Sequence, residues 1–345
     1  MQATIYHGAH DLRLESVPDS TIGDPKDAIV RITRAAICGS DLWFYRGITS
    51  PTPGAHTGHE FIGIVEEIGS DVRSVRPGDA VIAPFAWSDG TCEFCREGLQ
   101  TSCVHVGFFG SENGGQAEFV RVPYADGTLV KMPDAIAKDT AKLDASVTLT
   151  DVMGTGHYGV VAAQTAPGST VAVIGDGAVG LCAVLSAAKE LRAERIIAVG
   201  HNAKRLEIAK RFGATHTFNS HDANVQEQIV DLTAGGPSHV VEAVGNQESM
   251  NLAMEIARHG GTVSFVGVPH NVKTVPIATM FYKHVTLRGG PAPVRAFLPR
   301  LIESLASGRI DPSPVLDLTL PLSRVAEGYA AMDERRAIKV LLTAS

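Results

Sequence analysis

The apolar run Val171-Ala172-Val173-Ile174 leads directly into Gly175-Asp176-Gly177-Ala178-Val179-Gly180, and a helical pattern follows to Glu190. No other feature constrains the chain as strongly. A strand, a G-x-G-x-x-G turn and a helix in that order let backbone approach a pyrophosphate resting on the helix N-terminus. The rhythm then continues with a strand at 195–199, a helix at 203–212 closed by Gly213, a strand-like run at 240–244, a helical pattern at 250–258, and further strands at 262–266 and 285–288. Strands alternating with helices predict a parallel, doubly wound sheet.

Upstream the pattern differs. Short apolar strands at 4–6, 28–32, 63–68, 79–82 and 117–120 are cut by Gly and Pro, which predicts a β-rich, barrel-like lobe. The tail from Pro291 carries a helical stretch near 296–307 and a final strand at 339–342, expected to return to the first lobe. A length of 345 residues suits two cores. The expected division is a catalytic domain at 1–147 joined by 291–345, and a dinucleotide-binding domain at 148–290.

A formal net charge of -7, with no basic stripe, argues against nucleic acid as a partner. No apolar run approaches membrane-spanning length, and the first residues lack the basic-then-apolar order of a signal peptide, so a cytoplasmic location without membrane contact is expected. The five cysteines are too few and too unevenly spaced for a disulfide framework. Three of them, Cys92, Cys95 and Cys103, crowd into one loop, which suggests metal binding.

Three further motifs carry chemistry: Cys38-Gly39-Ser40-Asp41, Gly58-His59-Glu60 and Thr150-Asp151. A thiolate, an imidazole and a carboxylate form a zinc ligand set that leaves a fourth position open. Singly, each residue has a plainer role as a core cysteine or a hydrogen-bonding His or Asp. At the dinucleotide loop, an NAD-preferring site places an acid about twenty residues beyond the glycines. Here the second strand ends Ala198-Val199-Gly200, followed by His201, Asn202, Lys204 and Arg205, donors able to hold a 2′-phosphate. NADP is therefore expected in preference to NAD, the alternative being that Lys204 and Arg205 are the solvated start of a helix.

The order Cys-Gly-Ser-Asp, Gly-His-Glu, a cysteine-rich lobe, and then an Asp ahead of the G-x-G-x-x-G resembles the zinc-dependent medium-chain alcohol dehydrogenase family along essentially the whole chain. The resemblance implies an α/β protein with a β-rich GroES-like catalytic domain and a Rossmann dinucleotide-binding domain. It implies a catalytic zinc on Cys38, His59 and Asp151, with Glu60 approaching the metal, Asp41 orienting His59 and Ser40 relaying the alcohol proton. Trp43 stands where some relatives carry the terminal histidine of that relay.

The same resemblance implies a structural zinc on Asp89, Cys92, Cys95 and Cys103, with Asp89 replacing the first cysteine of the family loop. Loss of that metal is the alternative, and His105 is a substitute ligand. For the cofactor it implies Thr155 beside the nicotinamide; Gly175, Asp176, Gly177, Ala178, Val179 and Gly180 around the pyrophosphate; Gly200, His201, Asn202 and Arg205 at the adenosine end; Val244, Gly267 and Val268 along its length; and Lys339 near the pyrophosphate. The plainer roles are core for Val244 and Val268, and a solvated charge for Lys339.

The aromatics Trp43, Phe85, Trp87 and Phe109 suggest an apolar cleft for an alcohol, ketone or aldehyde, the alternative being that several of them are core. The function expected is hydride transfer between NADP(H) and such a substrate. Polyol, threonine and formaldehyde dehydrogenases, a zinc-free quinone reductase and a non-catalytic cofactor-binding protein are the alternatives. A homo-oligomer, tetramer or dimer, paired through the strand at 285–288, is implied as well.

Overall fold

The computed structural model describes residues 1–49 and 51–344. The chain divides into two compact units, Met1–Gly154 with Pro293–Ser345, and Thr155–Ala292.

The second unit is built on six strands, labelled here β1 (Thr170–Ile174), β2 (Arg195–Gly200), β3 (His216–Asn219), β4 (His239–Glu242), β5 (Thr262–Phe265) and β6 (Thr286–Gly289). They form one sheet in the order β3-β2-β1-β4-β5-β6, every neighbouring pair parallel. The order reverses between β1 and β4, and in such sheets ligands bind beyond the carboxyl ends of the strands at that point. Helices cover a parallel sheet on both faces, so its inner strands need apolar side chains throughout. Val171, Ala172, Val173, Ile196, Ile197, Val240 and Val241 are accordingly all buried.

Two helices matter for the site, α1 (Ala178–Lys189) and α2 (Ala203–Phe212). α1 begins at Gly177, which offers no capping side chain, so its first-turn N–H groups depend on other partners. α2 is capped at both ends: the Asn202 side chain accepts from the N–H groups of Lys204 and Arg205, and Gly213 ends the helix in the left-handed region at φ 113°.

In the first unit, the strand Ala28–Ala36 pairs with Glu60–Ile68, Phe119–Val122 and Val340–Thr343. The last strand of the chain thus returns to the first lobe, in a seven-stranded, mostly antiparallel sheet. Its core includes Ile5, Val30, Ile32, Phe61, Val65, Val120 and Leu342.

The strand β3 and the helices Val225–Leu232 and Ile277–Lys283 carry no clear sequence signal. Val244 and Val268 are not core: they are 45% and 48% exposed, in the turns that follow β4 and β5.

Stability should follow this division. Ile197→Ala, at a fully buried position in β2, is expected to destabilise the protein by about 2–5 kcal/mol, whereas Val268→Ala should stay within about 0.5 kcal/mol. Denaturant unfolding of the two variants checks both values.

Candidate metal centres and dinucleotide loop

Cys38, His59, Glu60 and Asp151 come from separate stretches of the first unit, yet one ligand atom from each lies within 4.8 Å of the others. Cys38 follows the strand Ala28–Ala36, His59 immediately precedes and Glu60 opens the strand Glu60–Ile68, and Asp151 follows the short helical turn Val147–Thr150. Asp151 Oδ2 lies 3.3 Å from Cys38 Sγ and 3.2 Å from His59 Nε2. The other imidazole nitrogen, His59 Nδ1, faces Asp41 Oδ1 at 3.2 Å. Asp41 is fixed in turn, because its Oδ2 accepts the Cys38 N–H at 3.0 Å. A carboxylate behind a ligating histidine sets its tautomer and turns the opposite nitrogen toward the metal.

The electrostatics call for a cation. Burial, then the charges of Asp151 and Glu60, push the Cys38 thiol up to about 11. Burial opposes charging of His59, but Asp41 and Cys38 outweigh it and hold the imidazole well above its ordinary range. Glu60 is raised, chiefly by burial, and its Oε2 is a buried oxygen with no hydrogen-bond partner. A thiol, an imidazole and two carboxylates gathered around one point fit a divalent ion with zinc's ligand preferences.

Lys339 is not a solvated charge. It is 1% exposed within the first unit, 2.5 Å from Glu60 Oε1, and it donates to the Ile37 carbonyl at 3.2 Å. The glycine before His59 is required as well. Gly58 has φ +88°, and a Cβ there would lie 2.4 Å from Gln116 Cγ. Gln116 belongs to the same packed network, its Oε1 accepting from Tyr329 Oη at 2.9 Å and from Thr57 Oγ1 at 2.7 Å.

A second cluster in this unit gathers Asp89, Cys92, Cys95 and Cys103 within the same 4.8 Å limit. Asp89 Oδ1 accepts the N–H groups of Thr91 and Cys92, and Oδ2 pairs with His105 Nδ1 at 2.8 Å. These bonds outweigh burial and hold the Asp89 carboxyl well below its usual range. Burial, then the neighbouring thiols, push Cys95 up to about 12. Three thiols and an ionised carboxylate fit a closed tetrahedral zinc site. His105 stands behind Asp89 rather than in the ligand set.

In the second unit, the residues expected at the dinucleotide sit at the carboxyl ends of the strands. Gly175 to Gly180 link β1 to α1, Gly200 ends β2, and Val244 and Gly267 follow β4 and β5. Gly180 must be glycine, since a Cβ there would meet the Gly175 carbonyl oxygen at 2.0 Å. Thr155 is buried on the helix Val152–Ala162. Glu242, unassigned from sequence, is wholly buried and accepts the N–H groups of Val244 and Gly245 at 2.8 Å, fixing that turn.

β2 itself ends at Gly200 without an acid, as expected, but that corner is not free of negative charge. Asp176 Oδ2 accepts the N–H groups of His201 and Asn202, both at 2.8 Å, so a carboxylate does occupy that corner. It was missed because it comes from the glycine loop, not from the strand.

The aromatics also divide. Phe85 presents its ring to His59 at 6.4 Å and stacks on Phe108 at 6.1 Å, beside the metal cluster. Phe109 belongs to the core, edge-on to Phe61 at 4.9 Å and to Trp87 at 5.1 Å, and Trp87 packs with it. Trp43 is half-buried in the short helix Asp41–Tyr45. Ser40 precedes that helix, and its hydroxyl makes no capping bond.

Comparison with known proteins agrees with this picture. A family model described as an alcohol dehydrogenase GroES-like domain matches residues 24–134, and one described as a zinc-binding dehydrogenase matches residues 178–306. The zinc-type alcohol dehydrogenase B of Aspergillus flavus is 33% identical over 356 residues, covering 100% of this chain and 81% of that protein. The NADP-dependent isopropanol dehydrogenase of Thermoanaerobacter brockii is 35% identical over 306 residues, covering 85% of this chain and 84% of that protein. Among solved structures, the alcohol dehydrogenase TADH from Thermus sp. ATN1 superposes with a TM-score of 0.93 at 36% identity, each chain covered in full.

Metal analysis of the purified protein is expected to find two zinc ions per chain, one lost in His59→Ala and the other in Cys103→Ser. His105→Ala should weaken zinc retention at the second cluster by about 10–100-fold in a chelator competition, as loss of a partner behind a ligand does.

Proposed function

The chain belongs to the zinc-dependent medium-chain dehydrogenase family, and on that premise we propose that it exchanges a hydride between a nicotinamide dinucleotide and a small apolar alcohol or its ketone or aldehyde. The observation that carries the proposal is the convergence of Cys38, His59, Glu60 and Asp151 within 4.8 Å, backed by Asp41. Cys38, His59 and Asp151 would hold the catalytic zinc, and Asp89, Cys92, Cys95 and Cys103 a structural one. When bound, the zinc supplies a Lewis acid that polarises the substrate oxygen and lowers an alcohol's pKa, while the nicotinamide supplies or takes the hydride.

The chain's own residues then have distinct parts. Asp41 fixes the ring and tautomer of His59. Ser40, whose hydroxyl is not used in capping, passes the alcohol proton outward. Lys339 holds one oxygen of Glu60 and leaves the other, Oε2, to approach the metal. Phe85 presents an apolar ring edge-on to His59, which suits an alkyl group better than a hydroxyl-rich chain. That favours simple alcohols and ketones over polyols, and the isopropanol dehydrogenase among the relatives supports the same class.

In the dinucleotide unit, the glycine loop and the N-terminus of α1 would receive the pyrophosphate. The expectation of NADP(H) rests on Lys204 and Arg205 and on an acid missing from the end of β2. The donors are present, but the Asp176 carboxylate opposes a 2′-phosphate at the same corner. Oligomerisation is part of the proposal too. β6 is an edge strand, and the helix Ile277–Lys283 exposes Ile277, Phe281 and Tyr282 in the same unit, as a homo-oligomer paired there would require. No helix among the described residues is long and apolar enough to cross a membrane. A cytoplasmic location is proposed on the cysteine use, since none of the five forms a disulfide.

In a substrate panel, small secondary alcohols and ketones should turn over faster than polyols or threonine; the reverse order would overturn the substrate class. Cys38→Ser should lower turnover by at least about 10³-fold, since the Lewis acid carries several kcal/mol of the barrier. Its NADH binding, read by fluorescence, should be largely unchanged. Asp41→Asn should cost about 10–100-fold in activity or metal affinity.

A further inference from the structure

In doubly wound dinucleotide sites, the acid at the end of the second strand binds the ribose 2′-hydroxyl, and its charge opposes a 2′-phosphate. Gly200 holds that position here. A Cβ built on Gly200 would lie 2.5 Å from Asp176 Cβ, 2.7 Å from its Cγ and 2.6 Å from its Oδ2. Asp176 therefore fills the volume from which an acid at position 200 would project, and the two cannot coexist without a shift. The Asp176 side chain is buried, and its Oδ2 takes both exposed-turn N–H groups after β2, those of His201 and Asn202, at 2.8 Å. The Arg205 guanidinium is drawn to the other oxygen, Oδ1, at 4.0 Å. The Asn202 amide oxygen is committed to capping α2. The Arg205 guanidinium and the backbone N–H groups of His201 and Asn202 thus face an internal carboxylate.

We propose that Asp176 is the specificity-determining acid of this dinucleotide site, a carboxylate moved from the strand end into the glycine loop, which receives the adenosine ribose hydroxyls and excludes the 2′-phosphate, so that the chain uses NAD(H). The inference rests on the reading of the second unit as a nicotinamide-dinucleotide site. A 2′-phosphate would meet a like charge at this corner. It could reach the two N–H groups only by displacing Asp176 from them, and a buried carboxylate stripped of its partners is costly.

The test is direct binding of NADH and NADPH to the full-length protein, followed by dinucleotide fluorescence without substrate. Wild-type protein should bind NADH at least about tenfold more tightly than NADPH, and Asp176→Asn, equal in size but uncharged, should shift the ratio at least about tenfold toward NADPH, as removal of a like charge predicts. Gly200→Asp should fail to strengthen NADH binding, because its side chain collides with Asp176. Tighter NADPH binding by the wild type, or an unchanged ratio in Asp176→Asn, overturns the inference while leaving the dehydrogenase reading intact. If neither dinucleotide binds the wild type, that reading falls and the inference with it. The wild-type ratio decides the matter even if a variant misfolds.

Discussion

Around Asp151 the protein buries a thiol, an imidazole and two carboxylates with too little positive charge to balance them, and much of the first unit is arranged to make that tolerable. Ionised groups withdrawn from water cost several kcal/mol each unless they are paired. Here the pairing is layered: Asp41 behind His59, Lys339 behind Glu60, and the Cys38 N–H on Asp41. What remains unbalanced is the interior of the cluster itself, where Glu60 Oε2 has no partner and the Cys38 thiol is pushed far up. A divalent cation resolves both at once. The fold supplies the positions through elements distant in sequence: the first and second long strands, the turn before Val152 and the last strand of the chain, which carries in Lys339 at its edge.

The second unit follows a different logic. Its sheet is held chiefly by the buried apolar residues of β1, β2 and β4, and polar turns follow at the carboxyl ends of the strands. Two buried carboxylates organise those turns. Glu242 fixes the Val244-Gly245 turn, and Asp176 fixes the His201-Asn202 turn. Both accept pairs of backbone N–H groups, so each acts as an internal anion where a ligand's anion could otherwise bind.

Much of this was legible from sequence because it rests on local patterns. The glycine loop follows an apolar strand, and the β-α alternation gives the parallel sheet. Motif order carries the family resemblance, and the resemblance implies that Cys38, His59, Glu60 and Asp151 share one metal, which their convergence matches. What escaped was decided by tertiary contact. β3, His-Thr-Phe-Asn, is an edge strand only partly buried, so it lacks the apolar run that marks its neighbours. Lys339 reads as a pyrophosphate contact or a solvated charge, because nothing local reveals that Glu60 lies against it. Phe109 and Trp87 read equally as cleft or core aromatics, and only the packing of Phe109 on Phe61 and of the two rings on each other shows their place against the core. Asp176 was seen as part of the glycine motif, yet its effect falls on a turn 25 residues away in the chain. An acid sought only at the strand end is missed when the loop supplies it.

The account stands most directly on the two ligand sets, and X-ray absorption at the zinc edge of the metal-loaded protein tests them together. Cys38 gives one sulfur to the first site and Cys92, Cys95 and Cys103 give three to the second, four thiolates over two ions. The predicted average shell is therefore about two sulfurs per zinc at about 2.3 Å, the rest of the shell being nitrogen and oxygen. A shell with about one sulfur per zinc would mean that the second cluster is empty, and a sulfur-free shell would contradict both ligand sets.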